Sequence, residues 1–277
     1  MPKVVKQGAK KSAIRRVGGL EIQHVDEMPD DGMKVTLYGR GKTGKTSLAC
    51  SFPKPLLILG TEDGTKSVRT IKQVDFLRVT HSSQVDEVVA YQSEYRTIVL
   101  DTAGGLQDMI MKEILGLDDS PVEKSWGMAG REQWQSCGVQ TKERLRVLLN
   151  LADTAGINVI IVAHERNFND EGGSDLISPT VGAALTPSTA GWLNGASDYL
   201  CQTFIREQTV KKSVKLGSKG ETSMVSRTGR AEYCLRVGPH PIYMTGFRRV
   251  HVEGEVMPDV IVDPTYDKIR KVIEQGG

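Results

Sequence analysis

Residues Gly39 to Ser47 read GRGKTGKTS. The first eight fill every position of G-x-x-x-x-G-K-[ST]. A short apolar run, Met33 to Tyr38 (MKVTLY), precedes them, and Thr46 to Phe52 opens a helix that Pro53 and Pro55 stop. A strand, a glycine-rich turn and a helix in that order make a cradle for phosphate. The glycines let backbone N–H groups converge on phosphate oxygens, and the helix start adds the positive end of its dipole. Gly39, Arg40, Gly41, Lys42, Thr43, Gly44, Lys45, Thr46 and Ser47 are therefore read as a nucleotide-binding loop. Lys45 is expected to reach the β- and γ-phosphates, and the Thr46 hydroxyl to ligate Mg²⁺.

Working outward, Leu56 to Leu59 (LLIL), Thr97 to Leu100 and Val159 to Val162 (VIIV) are continuous apolar runs. Runs of this kind suit strands buried on both faces of a parallel sheet. Phe76 to Val79 is a weaker strand, and Val85 to Tyr91 reads as a helix. Leu145, Leu148, Leu149, Ala152 and Ala155 fall at helical spacing, with Gly156 as a natural stop. Strands alternating with helices predict an α/β fold with a mainly parallel central sheet and helices on both faces. From Arg166 to Gly195 the chain is polar and reads as a long loop. Tyr199 to Ile205, Ser223 to Ser226 and Glu232 to Val237 then read as strands of a β-rich C-terminal part, closed by a helix over Asp267 to Ile273. The expected division is an N-terminal arm, residues 1–30, and one domain, residues 31–277.

Three acidic or titratable residues stand at predicted strand ends. Ile98 to Leu106 read IVLDTAGGL, so Asp101 ends a buried strand. An aspartate there can hold Mg²⁺ beside Thr46. Asp101 and Gly104 also spell the D-x-x-G of GTPases. A GTPase of that type needs N-K-x-D or T-K-x-D to read guanine, and neither occurs anywhere in the chain. Gly104 and Gly105 are then simply the loop that turns the chain away from the strand. Glu62 follows LLILG, beside the P-loop strand, where a carboxylate can deprotonate the water that attacks a γ-phosphate. Read alone, it is equally a turn acid. His164 ends VIIVA and is placed to hydrogen-bond the γ-phosphate.

Composition bounds the class. Hydrophobic residues make up 39% and charged residues 25% of the 277, enough for a globular core without a membrane. The longest apolar run, Ile157 to Ala163, is interrupted by Asn158 and is too short to cross a bilayer. No secretory signal is apparent, and the cytoplasm of a bacterium or a phage-infected host is the expected location. The four scattered cysteines read as buried thiols. Net charge is only +2 but uneven: residues 1–18 carry six Lys or Arg and no acid, and Arg206 to Arg230 carries seven against Glu207 and Glu221. Solvated surface explains such runs simply, and contact with a polyanion is the sharper alternative.

The P-loop, Glu62, Asp101 and the His164-Glu165 strand end together resemble the RecA-like ATPases, and most nearly the phage-type group of single-strand annealing and recombination ATPases. The resemblance spans residues 33–250. It implies ATP and Mg²⁺ as cofactors, Glu62 as the catalytic carboxylate, Asp101 as the Walker B acid and His164 as a γ-phosphate sensor. It also implies a ring or filament of identical subunits, single-stranded DNA as ligand, and a single-strand-binding or recombination protein as a further partner. The loop after His164, beginning with Arg166, Asn167 and Phe168, corresponds to a DNA-contacting loop. Trp126, Arg131 and Trp134 fall where another would lie, though ordinary packing accounts for them better. Arg248, and after it Arg249, is the candidate for a basic finger reaching a neighbouring subunit's site. The alternatives are a regulatory ATPase acting on a protein partner, as in helicase loading or DNA packaging, and a GTPase switch.

Overall fold

The computed structural model describes residues 15–17, 20–22, 31–62, 64, 66, 68–91, 94–118, 126–127, 129–168, 180–215, 221–248 and 256–274. Its centre is a ten-stranded sheet. Six strands form the parallel part: β3 (Lys34–Gly39), β4 (Leu56–Gly60), β5 (Val74–Arg78), β6 (Thr97–Asp101), β7 (Asn158–Phe168) and β9 (Tyr199–Lys215). Their order across the sheet is β9-β3-β7-β6-β4-β5. The remaining strands add antiparallel: β8 (Thr180–Ala183) on β7, β10 (Glu221–Arg236) and β11 (Gly246–Phe247) on β9, and β12 (Val260–Val262) on β10.

Alternation along each parallel strand sorts apolar side chains to two faces. Tyr38, Leu57, Leu59, Ile98, Leu100, Val159 and Ile161 share one cluster with buried residues of α2 (Gln84–Tyr91), α3 (Ala103–Ile114), α4 (Arg131–Ala155) and α5 (Pro187–Ala196). Val35, Leu37, Leu56, Ile58, Val99, Ile160 and Val162 pack with α1 (Lys45–Ala49) and α6 (Tyr266–Glu274) on the other. The result is the mixed α/β, mostly parallel architecture of a P-loop NTPase. All four cysteines are buried and free. No helix among the described residues is long and apolar enough to cross a membrane. Leu100 is fully buried at the centre of the first face. Leu100→Ala is expected to lower unfolding free energy by about 2–5 kcal/mol, read from urea denaturation curves, because the surrounding strands cannot collapse into the cavity.

Several local expectations change. Gly104 and Gly105 lie in the first turn of α3 rather than in a loop. The Thr102 side chain caps that helix by accepting from Gly105 N–H. A Cβ on Gly105 would collide with Thr61, so the glycine allows β4 and α3 to approach. α4 begins at Arg131, well before the leucine pattern starts, because its first turns carry polar residues. The stretch from Arg166 contains the end of β7, then β8 and α5; residues 169–179 lie outside the described set. Ser223–Ser226 and the predicted strand from Glu232, which stops at Arg236 rather than Val237, are joined in one strand, β10, whose pairing shifts between Arg227 and Ala231, where Gly229 takes a positive φ of 71°. Within the N-terminal arm, β1 (Arg15–Val17) and β2 (Leu20–Ile22) pair antiparallel, with Val17 opposite Leu20. The intervening residues are Gly18 and Gly19, a two-residue hairpin signal that charge counting passed over. The rest of the arm lies outside the described residues.

Candidate nucleotide-binding site

The loop between β3 and α1 depends on backbone that most residues avoid. Lys42 sits at φ 65° and Gly44 at φ 85°, and a Cβ on Gly39 would collide with the carbonyl oxygen of Thr203. Thr43 Oγ1 donates to Arg40 O (2.8 Å) and meets Thr203 Oγ1 at 2.7 Å, tying the loop to β9. Lys45 is 7% exposed, and its Nζ donates to the carbonyls of Gly39 (2.9 Å) and Arg40 (2.7 Å). Burial pulls its pKa below the usual lysine range, against the raising influence of Asp101. This is a buried cation held along the loop by backbone acceptors.

The carboxyl ends of three neighbouring strands complete the site. Thr46 Oγ1 donates to Asp101 Oδ2 at 2.7 Å. Burial pushes the Asp101 carboxyl up, the Thr46 hydrogen bond pulls it down, and the Glu62 charge raises it further. A hydroxyl and a carboxylate this close are hard oxygen donors of the kind Mg²⁺ takes. Among the described residues no three His, Cys, Asp or Glu gather into a protein-only metal cage. Thr46 and Asp101 therefore fit a Mg²⁺ whose remaining ligands are phosphate oxygens and water.

Glu62 was expected beside the P-loop strand. In the sheet β7 and β6 stand between β3 and β4, so Glu62 approaches from three strands away. It reaches the same cleft because Thr61 and Thr102 lock the two strand ends together. Thr61 Oγ1 donates to Thr102 O (3.0 Å) and accepts from Thr102 N (2.9 Å), and Thr102 Oγ1 donates to Glu62 Oε1 (3.0 Å). The other carboxylate oxygen lies 3.5 Å from His164 Nε2. Glu62 and His164 are each nearly half exposed, open to water and ligand.

One cleft of about 780 Å³ collects these groups, lined by Gly41 to Leu48, Glu62, Asp101, Thr102, His164 and Thr203, and at its other end by Ser51, Tyr233, Asp263, Pro264 and Thr265. Gly39, buried at the end of β3, and the exposed Arg40 are not among the lining residues. Arg40 is turned outward onto Glu165 (2.8 Å), which also accepts from Gln202 Nε2 (3.1 Å). Thr61, Thr102, Thr203 and Tyr233 were not foreseen. Short hydroxyl residues at strand ends carry no periodic signal, and Tyr233 arrives from a strand some 190 residues downstream of the loop.

Two expected groupings are not brought here. Arg248 follows β11, which pairs with the amino-terminal start of β9, at the edge of the sheet away from the phosphate loop. Its guanidinium donates to Asp198 Oδ1 (2.9 Å) and to Gly195 O. Arg249 lies outside the described residues. Arg166, Asn167 and Phe168 belong to β7 rather than to a loop, held by pairing with β8. Phe168 is half-buried against the core, with the Arg166 guanidinium 5.7 Å from its ring centre. Trp126 is buried, while Trp134 on α4 is 37% exposed.

A family model described as an AAA domain matches residues 31–240, about three quarters of the chain. No curated protein matches it. The chain belongs to the AAA-domain family, and with it to the P-loop ATPases of AAA type.

Proposed function

We propose that this AAA-domain protein is a Mg²⁺-dependent ATPase with a RecA-like core, coupling nucleotide state to single-stranded DNA in phage-type recombination or annealing. The convergence of Lys45, Thr46, Asp101, Glu62 and His164, from four strand ends, on one cleft carries this reading. Lys45 and the loop amides would bind the β- and γ-phosphates. Thr46 and Asp101 would hold Mg²⁺, which when bound neutralises charge on those phosphates. Glu62, oriented by Thr102, accepts the proton of the attacking water. His164, bridging Glu62 and the γ-phosphate position, registers loss of that phosphate within β7, where its pairing with β3 stops. The family supports ATP as substrate, as does the missing guanine motif.

Support for a polyanionic ligand comes from β9 and β10. β9 pairs with β3 only over Tyr199–Thr203, and β10 pairs with β12 only over Cys234–Arg236. Among the described residues, β9 from Arg206 to Lys215 pairs only with β10. A two-stranded ribbon thus runs about 40 Å past the carboxyl edge of β3, on the edge that carries the nucleotide cleft. Of the seven Lys and Arg noted above, Arg206, Lys211, Lys212, Lys215, Arg227 and Arg230 belong to its two described strands. Assembly into a ring or filament, with Arg248 leaving Asp198 to serve a neighbouring subunit, belongs to the same proposal.

Fluorescence anisotropy of a labelled oligonucleotide, at two salt concentrations and with or without ATP, tests the DNA part. Binding is expected to weaken steeply with salt, with a log–log slope of about −0.7 per phosphate neutralised, and to differ between nucleotide states. Absence of binding at low salt in both states would exclude the DNA ligand and move the ribbon to a protein partner.

A further inference from the structure

We infer that Tyr233, Asp263, Pro264 and Thr265 form a nucleoside site, taking the base and ribose of the nucleotide whose phosphates lie on Gly39–Ser47. The inference rests on the nucleotide reading and extends it to the opposite end of the same cleft. Three of these residues lie beyond the stretch that the family model matches.

The two ends of the cleft differ in chemistry. Glu62, Asp101 and His164 occupy one end, suited to metal, water and γ-phosphate. The lining also includes the phosphate loop and Leu48 and Ser51, and, on the far side of β3 and β9 in the sheet order, a wall made of a tyrosine of β10 and the proline, carboxylate and hydroxyl of the turn after β12. A nucleotide that places its γ-phosphate at the first end must direct its nucleoside away from it, and this wall closes that side of the cleft. Tyr233 is 46% exposed although it belongs to a strand. Its ring stands over the phosphate loop: a Cβ on Gly44 would lie 3.5 Å from Tyr233 Cδ1. An aromatic face held open beside a phosphate cradle offers a surface for stacking a base.

The wall is fixed before any ligand arrives. Asp263 N–H donates to Tyr233 O at 2.8 Å, coupling the β12–α6 turn to the strand that carries the ring. Lys268 Nζ donates to Val262 O and Asp263 O, each at 2.8 Å. Tyr266 N–H donates to Ser51 Oγ at 2.9 Å, and the Tyr266 ring packs 5.0 Å from that of Phe52. The turn is therefore pinned to the far end of α1. Asp263 and Thr265 supply an acceptor-only carboxylate and a hydroxyl, groups that match ribose hydroxyls. Stacking does not distinguish one purine from another, so the site sets affinity for the nucleoside rather than choice of base.

Calorimetric titration of the full chain with ATP and, separately, with inorganic tripolyphosphate tests the assignment. Tyr233→Ala is expected to weaken ATP by about 5- to 150-fold while leaving tripolyphosphate unchanged. Tyr233→Phe, which keeps the ring, retains ATP affinity. Unchanged ATP affinity in Tyr233→Ala overturns the inference and leaves the phosphate site standing. Equal loss of ATP and tripolyphosphate in Tyr233→Ala also overturns it, because the ring would then be propping the loop. Failure of the unaltered chain to bind either compound refutes the nucleotide reading itself, and the inference with it.

Discussion

Lys45→Ala is expected to cost about 2–5 kcal/mol of ATP binding, roughly thirty-fold to several thousand-fold in affinity. Lys45 is the buried cation of the phosphate loop, held in place by the carbonyls of Gly39 and Arg40. Its ammonium is already largely stripped of water, so a phosphate oxygen can replace a carbonyl contact without a new desolvation cost. Alanine removes the charge and leaves the loop's negative neighbours, Asp101 and Glu62, facing the incoming phosphates. Lys42 does not substitute, since it is exposed at the loop tip with a left-handed backbone of its own. Calorimetry reads the loss directly, and an unshifted thermal midpoint shows that the fold survives. ATP affinity in Lys45→Ala within a few-fold of the unaltered chain would remove the phosphate role from this loop.

Glu62→Gln separates binding from turnover. The glutamine keeps the size of the side chain and an oxygen that can still accept from Thr102 Oγ1, so the position is preserved. What it loses is the ability to take a proton. Hydrolysis is expected to fall by about 10²-fold or more while ATP affinity stays within a few-fold of the unaltered protein. The same substitution removes a negative charge beside Asp101, which relaxes that carboxyl toward its ordinary value because the Glu62 charge is one of the causes raising it. Normal turnover in Glu62→Gln would return Glu62 to the role of a turn acid and make Asp101 the remaining carboxylate to examine.

The elements around the candidate phosphate loop were legible in the sequence because they obey local rules. A complete P-loop between an apolar run and a helix start, and apolar strands ending in Glu62, Asp101 and His164, announce a parallel sheet with a site along one edge. The sheet order was not legible: Glu62 was expected next to the P-loop strand, and two strands intervene. Register and order are set by packing of both faces, which no single strand encodes. The same holds for the Thr61–Thr102 lock and for Thr203 behind the loop, where common hydroxyl residues gain their roles only from long-range contact. Local polarity misled at Arg166–Phe168, which continue β7 because β8 pairs with them. It misled again at Gly104–Gly105, where close approach of Thr61, rather than turn formation, explains the glycine at 105. Tyr233 and the Asp263–Thr265 turn were invisible for the simplest reason: the chain brings them to the cleft from its far end.

The most direct test of the central claim is phosphate release from ATP by the purified chain, measured with Mg²⁺ and again with the metal chelated, in the presence and absence of single-stranded DNA. The proposed site predicts turnover with Mg²⁺, its loss on chelation, and its near-disappearance in Glu62→Gln at saturating ATP. ATP binding without any phosphate release by the unaltered chain, under every one of these conditions, would contradict it.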